Sequence, residues 1–133
     1  MRSVLTLPYG HAGNLTASAW MNAGGGGIFA ATRGYRMPAA GWIALHAAEG
    51  QISLSTSGNV TLQVLINDAI QTALNLVRQA ADGNGAFSLS ASAVRRAVPF
   101  AAGDRIHVFA QETGEMGWSD TVGYVLAVVD RMK

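Results

Sequence analysis

Val60-Thr61-Leu62-Gln63-Val64-Leu65-Ile66, followed by Asn67-Asp68, decides the fold class. Val60, Leu62, Val64 and Ile66 alternate with Thr61, Gln63 and Leu65, the two-residue period of a β-strand rather than the 3.6-residue period of a helix. Asn-Asp after such a run is turn chemistry. Outward from it the pattern repeats. Gly41-Trp42-Ile43-Ala44-Leu45-His46-Ala47 lies between Pro38 and Glu49-Gly50, and Gln51-Ile52-Ser53-Leu54-Ser55 ends at Ser57-Gly58-Asn59. Downstream, Phe87-Ser88-Leu89-Ser90-Ala91 follows Asp82-Gly83-Asn84-Gly85, Arg105 to Ala110 follows Ala102-Gly103-Asp104, and Val122 to Val129 is the last run. Short alternating segments separated by turn residues predict an all-β sandwich of two antiparallel sheets.

One segment reads two ways. Ile70, Ala73, Leu74 and Val77 fall at helical spacing behind Asp68, a residue able to cap a helix. The same stretch alternates as Ile70, Thr72, Leu74, Leu76, and strand is the preferred reading over 68–81. The chain divides into a loose glycine-rich region, 1–34, and a sandwich domain, 35–133. The first is either an anchoring arm or the source of the first strands. Its Gly24-Gly25-Gly26-Gly27 is not a phosphate loop, because no Gly-Lys-Ser/Thr follows.

Several strands are apolar on both faces. In 42–47 the faces are Ile43, Leu45, Ala47 and Trp42, Ala44, His46; in 106–111 they are Ile106, Val108, Ala110 and His107, Phe109, Gln111. The last run carries Val122, Tyr124, Leu126, Val128 against Gly123, Val125, Ala127, Val129. A monomeric sandwich would leave one such face bare, which soluble proteins avoid. A symmetric oligomer or a protein partner is therefore expected to cover it.

Composition points the same way. At 133 residues the chain has room for one core, and 50% of it is hydrophobic while only 13% is charged. That excludes a disordered chain. A net charge of +1 removes the electrostatic case for nucleic acid, and zero cysteines remove disulfides, thiolate metal sites and cysteine nucleophiles. The apolar run Val4 to Leu7 stops at Pro8, too short for a signal core, and Tyr124 to Val129 is far below the roughly 20 residues of a membrane span.

A family resemblance enters here. Tyr35-Arg36-Met37-Pro38-Ala39-Ala40-Gly41-Trp42-Ile43-Ala44-Leu45 resembles the opening of the jelly roll of tumour necrosis factor and the complement globular heads. Val60 to Asp68 is similar to a strand of that family ending in an Asn-containing turn. Val98-Pro99-Phe100-Ala101-Ala102-Gly103-Asp104-Arg105-Ile106-His107-Val108 resembles its Gly-Asp turn leading into an alternating strand. Gly123-Tyr124-Val125-Leu126 is similar to its final strand. The four matches keep the family's order over residues 35–133. The resemblance implies a jelly roll that assembles as a homotrimer, with Trp42, His46, His107, Phe109 and Tyr124 at the subunit interface. No cysteine, collagen-like stalk or signal is present, so the setting implied is a bacteriophage particle rather than a secreted animal protein.

The catalytic inventory is thin. His11, His46 and His107 are the only histidines, and none stands at metal-ligand spacing from another. His46 and His107 are read as interface or core packing. No Gly-x-Ser-x-Gly elbow is present. Glu112, Glu115 and Asp120 cluster with Trp118 in what reads as a polar loop, Gln111 to Asp120. Trp118 either caps one end of the sandwich or stacks on a sugar ring or protein partner. Arg95-Arg96 is read as a wet strand end rather than a polyanion site. No enzyme activity, metal or cofactor is expected.

Two function classes follow. The first is a structural protein of a virion surface, a capsid decoration or fibre head, assembled in the host cytoplasm with copies of itself and other virion proteins. The second is a carbohydrate- or receptor-binding module of the same fold, with a host surface glycan as ligand at the Trp118 loop or a groove between subunits. Neither class calls for nucleic acid or a membrane.

Overall fold

A computed structural model describes residues 2–15, 18–23, 34–79 and 85–130, with 11–15, 19, 22–23, 52–58, 114–120 and 130 described by backbone alone. All ten strands among the described residues pair antiparallel. They are β1 (Arg2–Leu15), β2 (Ala19–Trp20), β3 (Asn22–Ala23), β4 (Gly34–Arg36), β5 (Gly41–Ile66), β6 (Ala69–Ile70), β7 (Leu76–Gln79), β8 (Gly85–Ser92), β9 (Pro99–Phe100) and β10 (Arg105–Asp130). β5 and β10 are each 26 residues long and pair with each other from Ile106↔Ile66 to Val129↔Gly41. They run through both sheets of the sandwich. The first sheet joins β1, the C-terminal half of β10, the N-terminal half of β5, and β8. The second joins β2 and β4, the N-terminal half of β10, the C-terminal half of β5, and β6 and β7.

Between the halves both long strands turn back on themselves. Tyr9 lies opposite Gly123 in the first sheet, yet its hydroxyl donates to the Ile106 carbonyl in the second. A straight strand would separate Gly123 from Ile106 by roughly 56 Å at about 3.3 Å per residue. A tyrosine cannot bridge that, so the strand is folded over. The β5–β10 register shifts between Gly114 and Met116, Gly117 and Trp118, and Ser119 and Val122, which places the bulges at the corner. The expected turns at Glu49-Gly50 and Ser57-Gly58-Asn59, and the expected loop over 111–120, are thus strand, with glycines in the bend.

One core fills the space between the sheets. Leu7, Ile43, Val125, Ala127 and Val129 of the first sheet meet Val60, Leu62, Val64, Ile106, Val108 and Ala110 of the second. Arg2–Leu15 belongs to the first sheet as β1. Over 68–79, the described part of the 68–81 segment, the chain forms β6, a single 3-10 turn at Thr72–Leu74, and β7, with no α-helix among the described residues. Asn67-Asp68 is the two-residue turn joining Ile66 to its partner Ala69, so Asp68 does not cap; Gln71 precedes the 3-10 turn and makes no side-chain cap. Leu74 is fully buried and plugs the gap between the sheets beside β5 and β8. The Ala102-Gly103-Asp104 turn forms as expected, with Gly103 at φ 88 and the Asp104 carboxylate accepting from Ala101 N–H at 2.8 Å.

Candidate functional site

Alternation assigns each first-sheet side chain to the core or to the outside. Val125, Ala127, Ile43, His46 and Ala48 are buried in the sandwich, so their neighbours face out. The outer face carries Val4, Thr6 and Pro8 on β1, Val122, Tyr124, Leu126 and Val128 on β10, Leu45, Ala47 and Glu49 on β5, and Ser88, Ser90 and Ser92 on β8. Its middle is apolar and solvent reaches it: Val4 is 64% exposed, Val122 49% and Tyr124 37%. A groove of about 440 Å³ runs along the β8 side between Tyr124, Val122, Ala47, Glu49, Ser88 and Ser90.

The five residues proposed for a subunit interface fall on three different surfaces. Tyr124 and Trp42 share this outer face, Trp42 standing opposite Val128 at its end. Trp42 is nonetheless buried, because the guanidinium carbons of Arg2, Arg95 and Arg96 lie 5.2, 5.6 and 5.0 Å from its ring centroid. His46 points the other way, into the core. Its Nδ1–H donates to the Leu74 carbonyl at 2.8 Å, and burial lowers its pKa despite that bond. His107 and Phe109 lie on the outer face of the second sheet, where Trp20 packs edge-on against both at 5.5 and 4.8 Å. Part of the double-sided apolar pattern is therefore satisfied within one chain, by Trp20, by the 3-10 turn and by three arginines.

The cluster expected in a polar loop sits on a strand instead. The backbone of Glu112, Trp118 and Ser119 pairs with Val60, Ile52 and Gln51 of β5, and Trp118 also stands opposite Leu15 of β1. The Glu112 backbone N–H donates to the Ser18 hydroxyl at 2.9 Å. The side chains of Glu115, Trp118, Asp120 and His11 lie outside the described residues. Among the described residues no group of three or more His, Asp or Glu side chains is placed to hold a metal ion, and no helix is long and apolar enough to cross a membrane.

Sequence reasoning missed two features. Asn67, at φ 50, donates from Nδ2 to Asp104 at 3.2 Å and accepts the Arg105 N–H at 3.0 Å, tying the end of β5 to the start of β10. A polar groove of about 200 Å³ opens beside this clasp, lined by Asn67, Asp68, Gly103, Arg105 and His107. The second is the arginine cluster on Trp42, of which only Arg95-Arg96 is adjacent in sequence. Comparison with protein-family models and with curated proteins returns no match to this chain.

Proposed function

We propose that the chain is a structural subunit, a jelly roll that assembles through the outer face of its first sheet into a homotrimer displayed on a virus particle as a capsid decoration or fibre head. The observation that carries this reading is that face. Val4, Val122 and Tyr124 are exposed around Leu45, Ala47, Leu126 and Val128, an apolar surface that a lone soluble chain would not keep bare. Self-association satisfies it with a single gene product, and closed symmetry limits the assembly. The resemblance of 35–133 to the trimeric jelly rolls, the absence of cysteine and the sparse charge support the trimer and the virion setting.

Light scattering on a size-exclusion column tests it. The expected mass is three times that of the chain, and a double variant Val4→Asp, Val122→Asp is expected to run as a folded monomer. A native protein that is monomeric at all concentrations overturns the reading.

The groove favours a second reading. Tyr124 offers an aromatic face, Ser88 and Ser90 offer hydroxyls, and Glu49 offers a carboxylate, the groups that hold a sugar ring. Glycan-array binding that disappears in Tyr124→Ala would place the carbohydrate-binding function above the structural one.

A further inference from the structure

Among the described residues β8 pairs with β5 alone, from Leu45↔Ser92 to Ile52↔Gly85 and without a register shift. The Ala93 N–H donates to the Ala44 carbonyl at 2.9 Å, which fixes the phase of that ladder. Ala91, Leu89 and Phe87 therefore aim their N–H and C=O groups at β5, while Ala86, Ser88, Ser90 and Ser92 aim theirs away from it. Those four residues are exposed, so the outward edge of β8 is open to another strand.

Edge strands ordinarily carry charge, proline or a bulge, which keep other chains off. β1, on the other side of the first sheet, carries Arg2, Pro8 and the irregularity after His11. β8 reads Gly85-Ala86-Phe87-Ser88-Leu89-Ser90-Ala91-Ser92 and has none of the three. The strand is also complementary to itself. Laid antiparallel against a second copy with Leu89 on the twofold axis, Ser88 stands opposite Ser90 and Ala86 opposite Ser92, so all four outward-aimed residues find a partner. Sliding by two residues either way leaves one of the four past the end of the strand. On the core side Leu89 meets its own copy and Phe87 meets Ala91, large against small, and no like charges face each other along the seam.

We propose that β8 is a self-association edge: two copies of the chain pair β8 against β8 across a twofold axis and join their first sheets into one. Main-chain hydrogen bonds supply the attraction, and the pairing of all four outward-aimed residues sets the register. The contact goes beyond the trimer, which uses the outer face of the same sheet rather than its edge. Two strands of eight residues bury little against the roughly 1,200 Å² of a stable interface. The contact is therefore weak, with a Kd on the order of 1 mM, and forms where copies are crowded together. Mass in dilute solution stays set by the face alone.

The test is cross-linking through single introduced cysteines, since the chain has none of its own. In this register the two copies of Leu89 form a non-hydrogen-bonded pair, about 4.5 Å apart at Cα and within reach of a disulfide. Ala86 is more exposed, yet stands six residues out of register with its own copy, roughly 20 Å away. Under mild oxidation of concentrated protein, Leu89→Cys is expected to form disulfide-linked dimers roughly tenfold faster than Ala86→Cys. Ser90→Pro removes an outward N–H that β5 does not use, so the sandwich is expected to fold and the Leu89→Cys rate to fall to that of the control. Ser88→Lys with Ser90→Lys is a second edge variant, setting lysine against lysine across the seam. Repeating the measurement in the Val4→Asp, Val122→Asp background separates edge from face. Cross-linking that persists there belongs to the edge whether or not the trimer exists, and cross-linking lost there assigns the approach of Leu89 to the face and overturns the proposal. A Leu89→Cys rate no faster than that of Ala86→Cys, or one unchanged in both edge variants, overturns it as well.

Discussion

The rings of Tyr9 and Tyr35 meet edge to face at 5.2 Å, and their hydroxyls tie the two sheets reciprocally. Tyr9 donates to the carbonyl of Ile106, which stands opposite Tyr35 in the β4–β10 register, and Tyr35 donates to the carbonyl of Pro8, the neighbour of Tyr9. Burial raises the pKa of both phenols, that of Tyr9 well above its ordinary value with Tyr35 adding to it, so both stay protonated donors. Tyr9→Phe keeps the ring and strips the donor from a buried carbonyl. It is expected to cost about 1–2 kcal/mol, and Tyr35→Phe about 0.5–1 kcal/mol. Denaturant unfolding at fixed protein concentration measures both, and a Tyr9→Phe midpoint equal to native would show that the tie contributes nothing.

His46 makes stability depend on pH. Its pKa is lowered chiefly by burial, with the bond to the Leu74 carbonyl acting in the opposite direction. The unfolded chain therefore takes up a proton at a higher pH than the folded one. Stability from this group is full above the ordinary value of 6.5 and declines as pH falls through it, the slope ending at the folded pKa. His46→Gln keeps a donor near Leu74 and cannot titrate. It is expected to flatten the pH dependence of the urea midpoint between about pH 5 and 7; an unchanged slope in the variant would exclude His46 as its source.

The strand content was legible because the period survives locally: Val60 to Ile66, Phe87 to Ala91 and Arg105 to Ala110 alternate within a few residues. What separates one strand from two was not. Gly50, Gly58 and Gly117 look like turn residues, but a strand that must bend over a corner uses the same glycines as a turn does. The outer-face covers were hidden for another reason. Trp20 reaches Phe109 across most of the chain, and Arg2 reaches Trp42 from another strand, so no local pattern announces them. His46 shares its strand with outward-facing residues, and only the register around the Ala44 bulge turns it inward.

Gly123 is fixed by its partner strand. A Cβ there would run into the Ala47 carbonyl and sit 3.0 Å from Ala48 Cα, and main-chain atoms inside a sheet cannot move aside as a flexible side chain can. Gly123→Ala is expected to destabilise by about 1–3 kcal/mol. Gly10 lies next to it on β1 and opens only onto ordinary contacts, 3.6 Å from a Val122 methyl, so Gly10→Ala is expected to be near neutral or stabilising. Parallel denaturation of the two variants reads the difference; equal costs would mean that strand packing, not the close approach, sets the choice of glycine.

Asp104 is the acid-side counterpart of His46. Its pKa is lowered by the Ala101 N–H first and by the Asn67 amide second, with only slight opposition from burial. For a carboxylate the sign is the usual one: the stabilisation is present above the ordinary value of 3.8 and is lost as pH falls through the lowered folded value. The group is exposed and screened, so the effect is small and shrinks with added salt. Asp104→Asn is expected to remove that loss below about pH 4 while lowering stability slightly at neutral pH. Asn67→Gly separates the two roles of the clasp. It keeps the left-handed turn at position 67 and the backbone bond to the Arg105 carbonyl but loses the side-chain bonds to Asp104 and to the Arg105 N–H, and it is expected to raise the titration midpoint of Asp104 followed by NMR. A midpoint that stays put in Asn67→Gly would assign the lowered pKa to the Ala101 N–H alone.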